Sequence, residues 1–520
     1  MVHSLYAAVG VLGLAAGAVG QTAQPAPLLP SGFDARDEVL YQIMPIAWRH
    51  GEAKASVPAV AGEHRFGNFA GMKDSLAYLD ELGITGVWMT PIFPSPAYHG
   101  YQHGPADGVN PWFGEEAEFW AFVEAARERG IRVYIDFVVY GLNQDTPMFE
   151  SARTDEKSPF RDFFAFSDAA REKPFGYSFK TWTGGTVRFV NWDLRRPGPR
   201  AVVQDWARRW LDPNGDGDAS DGVAGFRLDH VWSTYAPQGK VAPGGWGYNT
   251  EFWVEWKRGL LAVKPDVLTF AEQAKWETWG TDLLAAHDAA FTKPFEFAAR
   301  DALREERAEK LYTSMAAGLK AVPEGRTLLA IIGDHDVDRV ASEVRADEPG
   351  KAGRAKAAAA VLLLQPFPPV IYYGDEIGML GRAGKFGSDS NDIPRREPMK
   401  WLTEEGAPMT RYHSLDPRTV AAQYSRDRDG RSVEEQQGVE GSLLEAYRAL
   451  IALRRENIAL RRGRYEPLES GHPGVWRFRR VHEEQALEVA VNLTGGEVGA
   501  GAGLAYSVPA YGYVVTPVEP

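Results

Sequence analysis

Cysteine is absent from the chain, which excludes a disulfide framework, thiolate chemistry and a cysteine-based zinc set. Positive charge is in deficit, with 57 Lys and Arg against 70 Asp and Glu. The formal net charge of -13 argues against a phosphate-backbone partner, so no nucleic acid is expected. Long apolar runs are also scarce. Beyond Leu5–Gly20, no segment reaches the ~18 uninterrupted apolar residues of a membrane span. No glycine-rich phosphate loop opens a first strand–helix turn, which weighs against a doubly wound nucleotide fold. What is present is a globular composition, 44% apolar and 24% charged, generous in aromatics with 16 Trp and 20 Tyr. At 520 residues the chain exceeds one ordinary core, so one large domain with one or two smaller ones is expected.

The run Leu5–Gly20 is mostly Ala, Val, Leu and Gly, and the polar, Pro-rich stretch Gln21–Pro27 follows it. This pattern reads as a signal-peptide core with a cleavage zone near Ala18–Ala23, although His3 is the only potentially basic residue before it. Residues 1–24 are therefore expected to be a signal peptide and 25–36 a linker, giving a secreted or periplasmic protein without membrane contact after cleavage. A retained anchor is the alternative reading.

From Val39 the pattern alternates. Val39–Met44, Ile84–Met89 and Ile131–Val138 read as strands, with helices over Met72–Leu82 and Phe119–Arg129, each stopped by a glycine. Residues 141–200 break the order and read as a compact inserted domain. Alternation then resumes through strands at 222–228, 266–271, 289–292, 327–332 and 369–373, with helices at 199–211, 250–263, 297–319 and 351–364. Eight strands with their helices predict an α/β fold, a closed (β/α)8 TIM barrel over 37–140 and 201–460, with the small domain inserted after the third strand. After an amphipathic helix at 441–456, short alternating strands predict a C-terminal β-sandwich over 461–520. The charged stretch Arg426–Gly438 reads as a mobile surface loop.

Gly225-Phe226-Arg227-Leu228-Asp229 ends the fourth predicted strand. Arg227 and Asp229 are two apart and share a face, and a guanidinium keeps a neighbouring carboxylate ionised. A structural ion pair is the plain reading of these five residues alone. Barrel sites, however, sit at the C-terminal ends of strands. There the sequence also puts Asp136, Glu272, His335, Asp336, Asp375 and Glu376. Three converging carboxyl groups without a phosphate loop or zinc set fit glycoside chemistry: one attacks the anomeric carbon, one shuttles a proton, and one supports the oxocarbenium-like transition state.

Several segments resemble the alpha-amylase superfamily of retaining glycoside hydrolases, in particular its cyclomaltodextrinase and alpha-glucosidase-like members. They are Tyr98-His99-Gly100-Tyr101, the acidic loop Asp212–Asp218, Gly225–Asp229, Ala271-Glu272, Asp334–Arg339, Pro369–Met379 and Asn391–Met399, in order over about residues 37–515. The resemblance implies Asp229 as nucleophile, Glu272 as acid/base and Asp336 as transition-state stabiliser. It implies that Arg227 orients Asp229 and that Tyr101, His335 and Arg339 hold the sugar, with Asp136 beside them. The expected function is retaining hydrolysis of alpha-glucosidic bonds in malto-oligosaccharides or starch-like glucans. Transglycosylation or trehalose-forming isomerisation on the same scaffold is one alternative, and a glucan-binding homologue impaired in catalysis is another.

The chain departs from the family pattern after the third strand. Asp136-Phe137-Val138-Val139-Tyr140-Gly141 stands where the superfamily carries Asp-x-Val-x-Asn-His, so a calcium partner and a sugar donor are missing. Trp232 and Ser233 remove another calcium partner, so the family's interdomain calcium is not expected. No cofactor is required by this chemistry. In the acidic loop, Asp212, Asn214, Asp216 and Asp218 alternate as oxygen ligands of a calcium loop do, which makes calcium possible there, against a solvated acidic turn. Oligomeric state is not legible.

Overall fold

The computed structural model describes residues 34–52, 64–231, 250–273, 275–501 and 503–519. The expected signal peptide and nearly all of the linker, together with Trp232 and Ser233, lie outside the described residues.

Eight parallel strands form the centre: β1 Leu40–Ile43, β2 Gly86–Met89, β3 Arg132–Val138, β7 Gly225–Asp229, β8 Leu268–Ala271, β9 Ala289–Phe291, β10 Thr327–Leu329 and β11 Val370–Tyr372. Sheet order runs β10-β9-β8-β7-β3-β2-β1-β11. A parallel bridge between Ala330 and Pro369 joins the two ends, so the barrel closes as expected. Each strand is buried on both faces, which is why these segments read as apolar runs. Side chains alternate between the helix layer and the barrel interior. Leu40, Trp88, Tyr134, Phe270, Phe291, Leu329 and Val370 fill the interior. Two residues further along several of these strands the interior position turns polar: Gln42 after Leu40, Asp136 after Tyr134, Glu272 after Phe270. The barrel is thus packed below and ionisable above, and that step defines where a site can be. Gly225 permits the close strand spacing at the foot of β7, since a Cβ would stand 1.8 Å from the Leu268 carbonyl oxygen.

Between β3 and β7 the chain leaves the barrel as a three-stranded antiparallel sheet of β4 Gly141–Asn143, β5 Gly176–Lys180 and β6 Thr186–Asn191, in the order β4-β6-β5. Two predicted helices are each divided. The first breaks at Ser75, whose hydroxyl bonds the Met72 carbonyl and accepts from Trp48. The second breaks at Glu306, a residue with φ 56 whose carboxylate gathers Lys351, Arg354 and Tyr511. Side-chain bonding overrides helical periodicity at both points.

The C-terminal region is one antiparallel sheet, β12 Arg464–Leu468, β13 Val475–Val481, β14 Ala486–Asn492 and β15 Tyr513–Val518. Its inner face, including Trp476, Phe478, Val489 and Val491, joins the main core. Its outer face packs Val475 and Ala490 under Val498, Leu504 and Val508. The expected C-terminal β-domain is thus built, among the described residues, as an antiparallel sheet with a short bridged segment over one face and the barrel helices against the other. The charged stretch 426–438 is tied down, since Gln436 donates to the Ile377 carbonyl and Lys400 pairs with Asp427 at 2.8 Å.

Candidate active site

Arg227 stands at the middle of the polar layer and is 2% exposed. Its Nη1 donates to both oxygens of Asp136 at 2.9 and 3.0 Å and to Asp229 at 2.9 Å; Nη2 donates to Glu272 at 2.7 Å. One guanidinium therefore holds three carboxyl groups delivered by β3, β7 and the end of β8. Such crowding raises proton affinity. Burial pushes Asp136 up to about 7, with Arg227 opposing and Asp229 adding to the rise. Burial also raises Asp229 well above the usual range, against Arg227, with Glu272 and Asp336 adding to the rise. An oxygen of Asp229, an oxygen of Glu272 and a ring nitrogen of His230 all lie within 4.8 Å of one another.

His335 is fixed from both sides. Gln42 Nε2 lies 2.6 Å from its Nδ1 and Tyr101 hydroxyl 2.7 Å from its Nε2. An amide nitrogen only donates, so with Gln42 oriented this way Nδ1 accepts and Nε2 carries the proton toward Tyr101. Tyr101 in turn donates to Asp136 at 2.8 Å and lies parallel to the imidazole, 6° between planes. Burial pushes His335 down to about 3, in keeping with a neutral ring.

Asp336 lies on the far side of the same hollow. Burial works to raise its pKa, but the positive field of His335, Arg396 and Lys293 more than offsets that and holds it well below the usual range. Because His335 is neutral at ordinary pH, the standing charges are Arg396, 2.9 Å from Asp336, and Lys293, which pairs with the adjacent Asp334 at 2.5 Å. Asp336 is therefore a dependable anion. A cavity of about 500 Å3 opens over these groups, enough for a small sugar chain. Asp229, His230, Tyr101, His335 and Asp336 line it from the barrel, Tyr140, Tyr177 and Phe179 from the inserted segment, and Asp389, Asp392 and Arg396 from the segment after β11.

Most residues expected from the sequence meet here. Asp229, Asp336, Tyr101 and His335 face the cavity. Glu272 lies just behind Asp229 on Arg227, and Asp136 acts from beneath through Arg227 and Tyr101. Arg339 is a correction. It is fully buried against the rings of Tyr372 and Tyr373, donates to the Tyr373 carbonyl at 2.6 Å and faces Asp375 at 3.5 Å, away from the cavity. The arginine that reaches the site is Arg396, from the segment Asn391–Met399, whose Nη2 donates to Asp336 at 2.9 Å. Glu376 is likewise structural, accepting from Tyr41 and Tyr78. Gln42 was missed because it sits inside an apolar run.

The departure after β3 has a steric cause. A Cβ on Gly141 would stand 2.2 Å from the Val190 carbonyl oxygen, so β4–β6 pairing leaves no room for a histidine. Tyr140 instead stacks on His230 at 5.4 Å.

The acidic loop 212–221 precedes β7 and so lies at the opposite end of the barrel. Asp212, Asn214, Asp216 and Asp218 bond backbone amides of their own loop, and the Asn214 amide nitrogen lies 3.1 Å from Asp216 and 2.9 Å from Asp221. A donor between two carboxylates fits a self-capped turn and not a calcium cage.

Comparison with known proteins agrees with this geometry. The family model described as alpha amylase, catalytic domain, matches residues 42–463, which include all three carboxyl groups. Alpha-amylase 3 of Dictyoglomus thermophilum is 26% identical over 444 residues, covering 82% of this chain and 81% of that one. A trehalose synthase of Pimelobacter is 28% identical over 477 residues, covering 80% of each. The crystal structure of an alpha-amylase from H.orenii superposes with a TM-score of 0.74 at 24% identity, covering 94% of this chain and all of that one. A closed barrel, a carboxyl trio around one arginine and a family match over most of the length lead to one assignment: the chain belongs to the alpha-amylase family of glycoside hydrolases.

Proposed function

We propose that the protein hydrolyses alpha-glucosidic bonds in malto-oligosaccharides or starch-like glucans by double displacement with retention. The observation that carries this reading is that one guanidinium, Arg227, holds Asp229 and Glu272 side by side at 2.9 and 2.7 Å, with an oxygen of each within 4.8 Å of the other. An inverting pair needs ~6.5–9.5 Å to admit a water between its carboxyl groups, a retaining pair ~5–5.5 Å. Asp229 attacks the anomeric carbon and the glycosidic bond breaks, while Glu272 gives its proton to the departing oxygen. Water then attacks the same anomeric carbon, Glu272 takes the proton it gives up, and the bond to Asp229 breaks so that Asp229 leaves as carboxylate. Asp336, kept anionic by Arg396 and Lys293, opposes the positive charge that develops in both steps.

The test is the anomer released first from maltotriose, followed by NMR. The alpha anomer is expected, and the beta anomer would overturn retention. The resemblance to a trehalose synthase keeps transfer as the second reading, since another sugar can replace water in the second step. Products from maltose separate the two, because isomeric disaccharide without net glucose favours transfer. Export through the run Leu5–Gly20 belongs to the same proposal, and the N-terminal sequence of the mature protein checks it. Neither step uses a metal, and melting unchanged by chelator is the expected behaviour of the 212–221 loop.

A further inference from the structure

Gln102 lies next to Tyr101 on the cavity wall and is 5% exposed. Its Nε2 donates to the Tyr177 hydroxyl at 2.7 Å, and that hydroxyl lies 3.0 Å from the hydroxyl of Tyr140. Tyr177 thus joins Gln102 to Tyr140 in one hydrogen-bonded relay, in which either tyrosine hydroxyl can be the donor. The relay ends beside the reacting carboxyl groups, because Tyr140 stacks on His230 and His230 lies within reach of Asp229 and Glu272. Tyr177 is exposed overall, its hydroxyl is shared between its two partners, and burial pushes its pKa to about 12. All three groups are neutral at working pH.

One atom is left over. Gln102 Oε1 is buried and has no hydrogen-bond partner among the described residues. A buried acceptor without a partner costs roughly 1–3 kcal/mol, and a ligand donor recovers that cost. The contact with Tyr177 keeps the carboxamide at this position. An uncharged acceptor on a residue that lines the same cavity as Asp229 suits a neutral hydroxyl. From this geometry we infer that Gln102 is a specificity-determining residue whose Oε1 accepts a hydrogen bond from one hydroxyl of the glucose unit being cleaved, with Tyr177 and Tyr140 as positioning residues. The inference rests on the hydrolytic reading above and adds to it the group that selects the sugar.

The test uses alpha-glucosyl fluoride and its 2-, 3-, 4- and 6-deoxy analogues, read by fluoride release, which need only the cleaved-sugar subsite. Loss of each hydroxyl lowers kcat/KM in the wild-type enzyme by some factor. In Gln102→Leu that factor should shrink at one position, by roughly tenfold to a hundredfold, and stay as it was at the other three. Tyr177→Phe should weaken the discrimination at the same position by a smaller factor, and serves alone if Gln102→Leu does not fold. Identical factors at all four positions in wild type and variant would overturn the role of Gln102 while leaving the hydrolytic reading intact. Wild-type enzyme that releases no fluoride from the parent sugar would sink that reading, and this inference with it.

Discussion

At the C-terminal ends of the barrel strands one cation, Arg227, serves three carboxyl groups, Asp136, Asp229 and Glu272. At the N-terminal ends one carboxylate, Asp288, serves two cations, Lys257 at 2.5 Å and Arg326 at 3.2 Å, and also accepts from the Thr269 amide and hydroxyl. Both clusters are buried, and both would pass for structural ion pairs in sequence. The difference lies in charge balance and access. The lower cluster has enough cation for its anion, and none of its residues lines the cavity over the upper one. The upper one has too little cation for its anions and opens on a sugar-sized hollow, so its spare proton and spare negative charge are available to a substrate.

The comparison breaks most sharply if each end is disabled in turn. Asp229→Asn removes the attacking group and should lower kcat by at least about three to four decades, while Arg227 keeps two partners and the fold persists. Sugar release that survives this change would show that the upper cluster is structural after all. Next in size is Asp288→Asn, which leaves Lys257 buried beside a neutral amide. Stability should fall by about 3–5 kcal/mol in denaturant titration, with kcat unchanged in the enzyme that remains folded. A fall in kcat without lost stability would erase the distinction between the two ends.

Arg396 and Arg339 carry the same contrast within one region, and they also show what the sequence could and could not say. Asp136, Arg227, Asp229 and Glu272 were legible because strand alternation puts residues two apart on one face, and the barrel rule says which end matters. Arg339 was misplaced because it follows Asp336 by three residues, yet the chain turns its side chain under β11. Arg396 arrives from a segment sixty residues further on, and no local period records such a return. The outer layer of the C-terminal sheet was obscure for a related reason. Half of its cover comes from barrel helices, and a strand pattern cannot name what packs against it. Arg396→Ala should therefore lower kcat by about two decades, or about 3 kcal/mol, by letting Asp336 lose its fixed charge. Arg339→Ala should instead lower the midpoint of unfolding. If the two variants exchanged these effects, the placement of the site arginine would be wrong.

The smallest expected effect is in the pH dependence of stability, and here the two ends pull in opposite directions. Burial raises Asp136, Asp375 and Asp389 to about 7 in the folded protein, against roughly 3.9 for a free Asp. Between those values the folded state binds more protons than the unfolded one, so the stability they contribute is full below about pH 4 and is lost as pH rises through 7. At the lower end, burial and the charges of Lys257 and Arg326 hold His287 well below its usual range. That ring stays neutral in the fold while the unfolded chain takes up a proton, so its contribution is lost as pH falls below about 6.5. Asp389 is the carboxyl to remove, since both of its oxygens are buried without a hydrogen-bond partner among the described residues. Asp389→Asn should leave stability near pH 4.5 as it is and raise it at pH 8 by about 1–2 kcal/mol. His287→Gln should do the reverse, flattening only the acid side. Unfolding midpoints at the two pH values read both effects. Parallel curves for wild type and Asp389→Asn would mean that the upper rim holds no excess protons, and the contrast between the two ends would then rest on access alone.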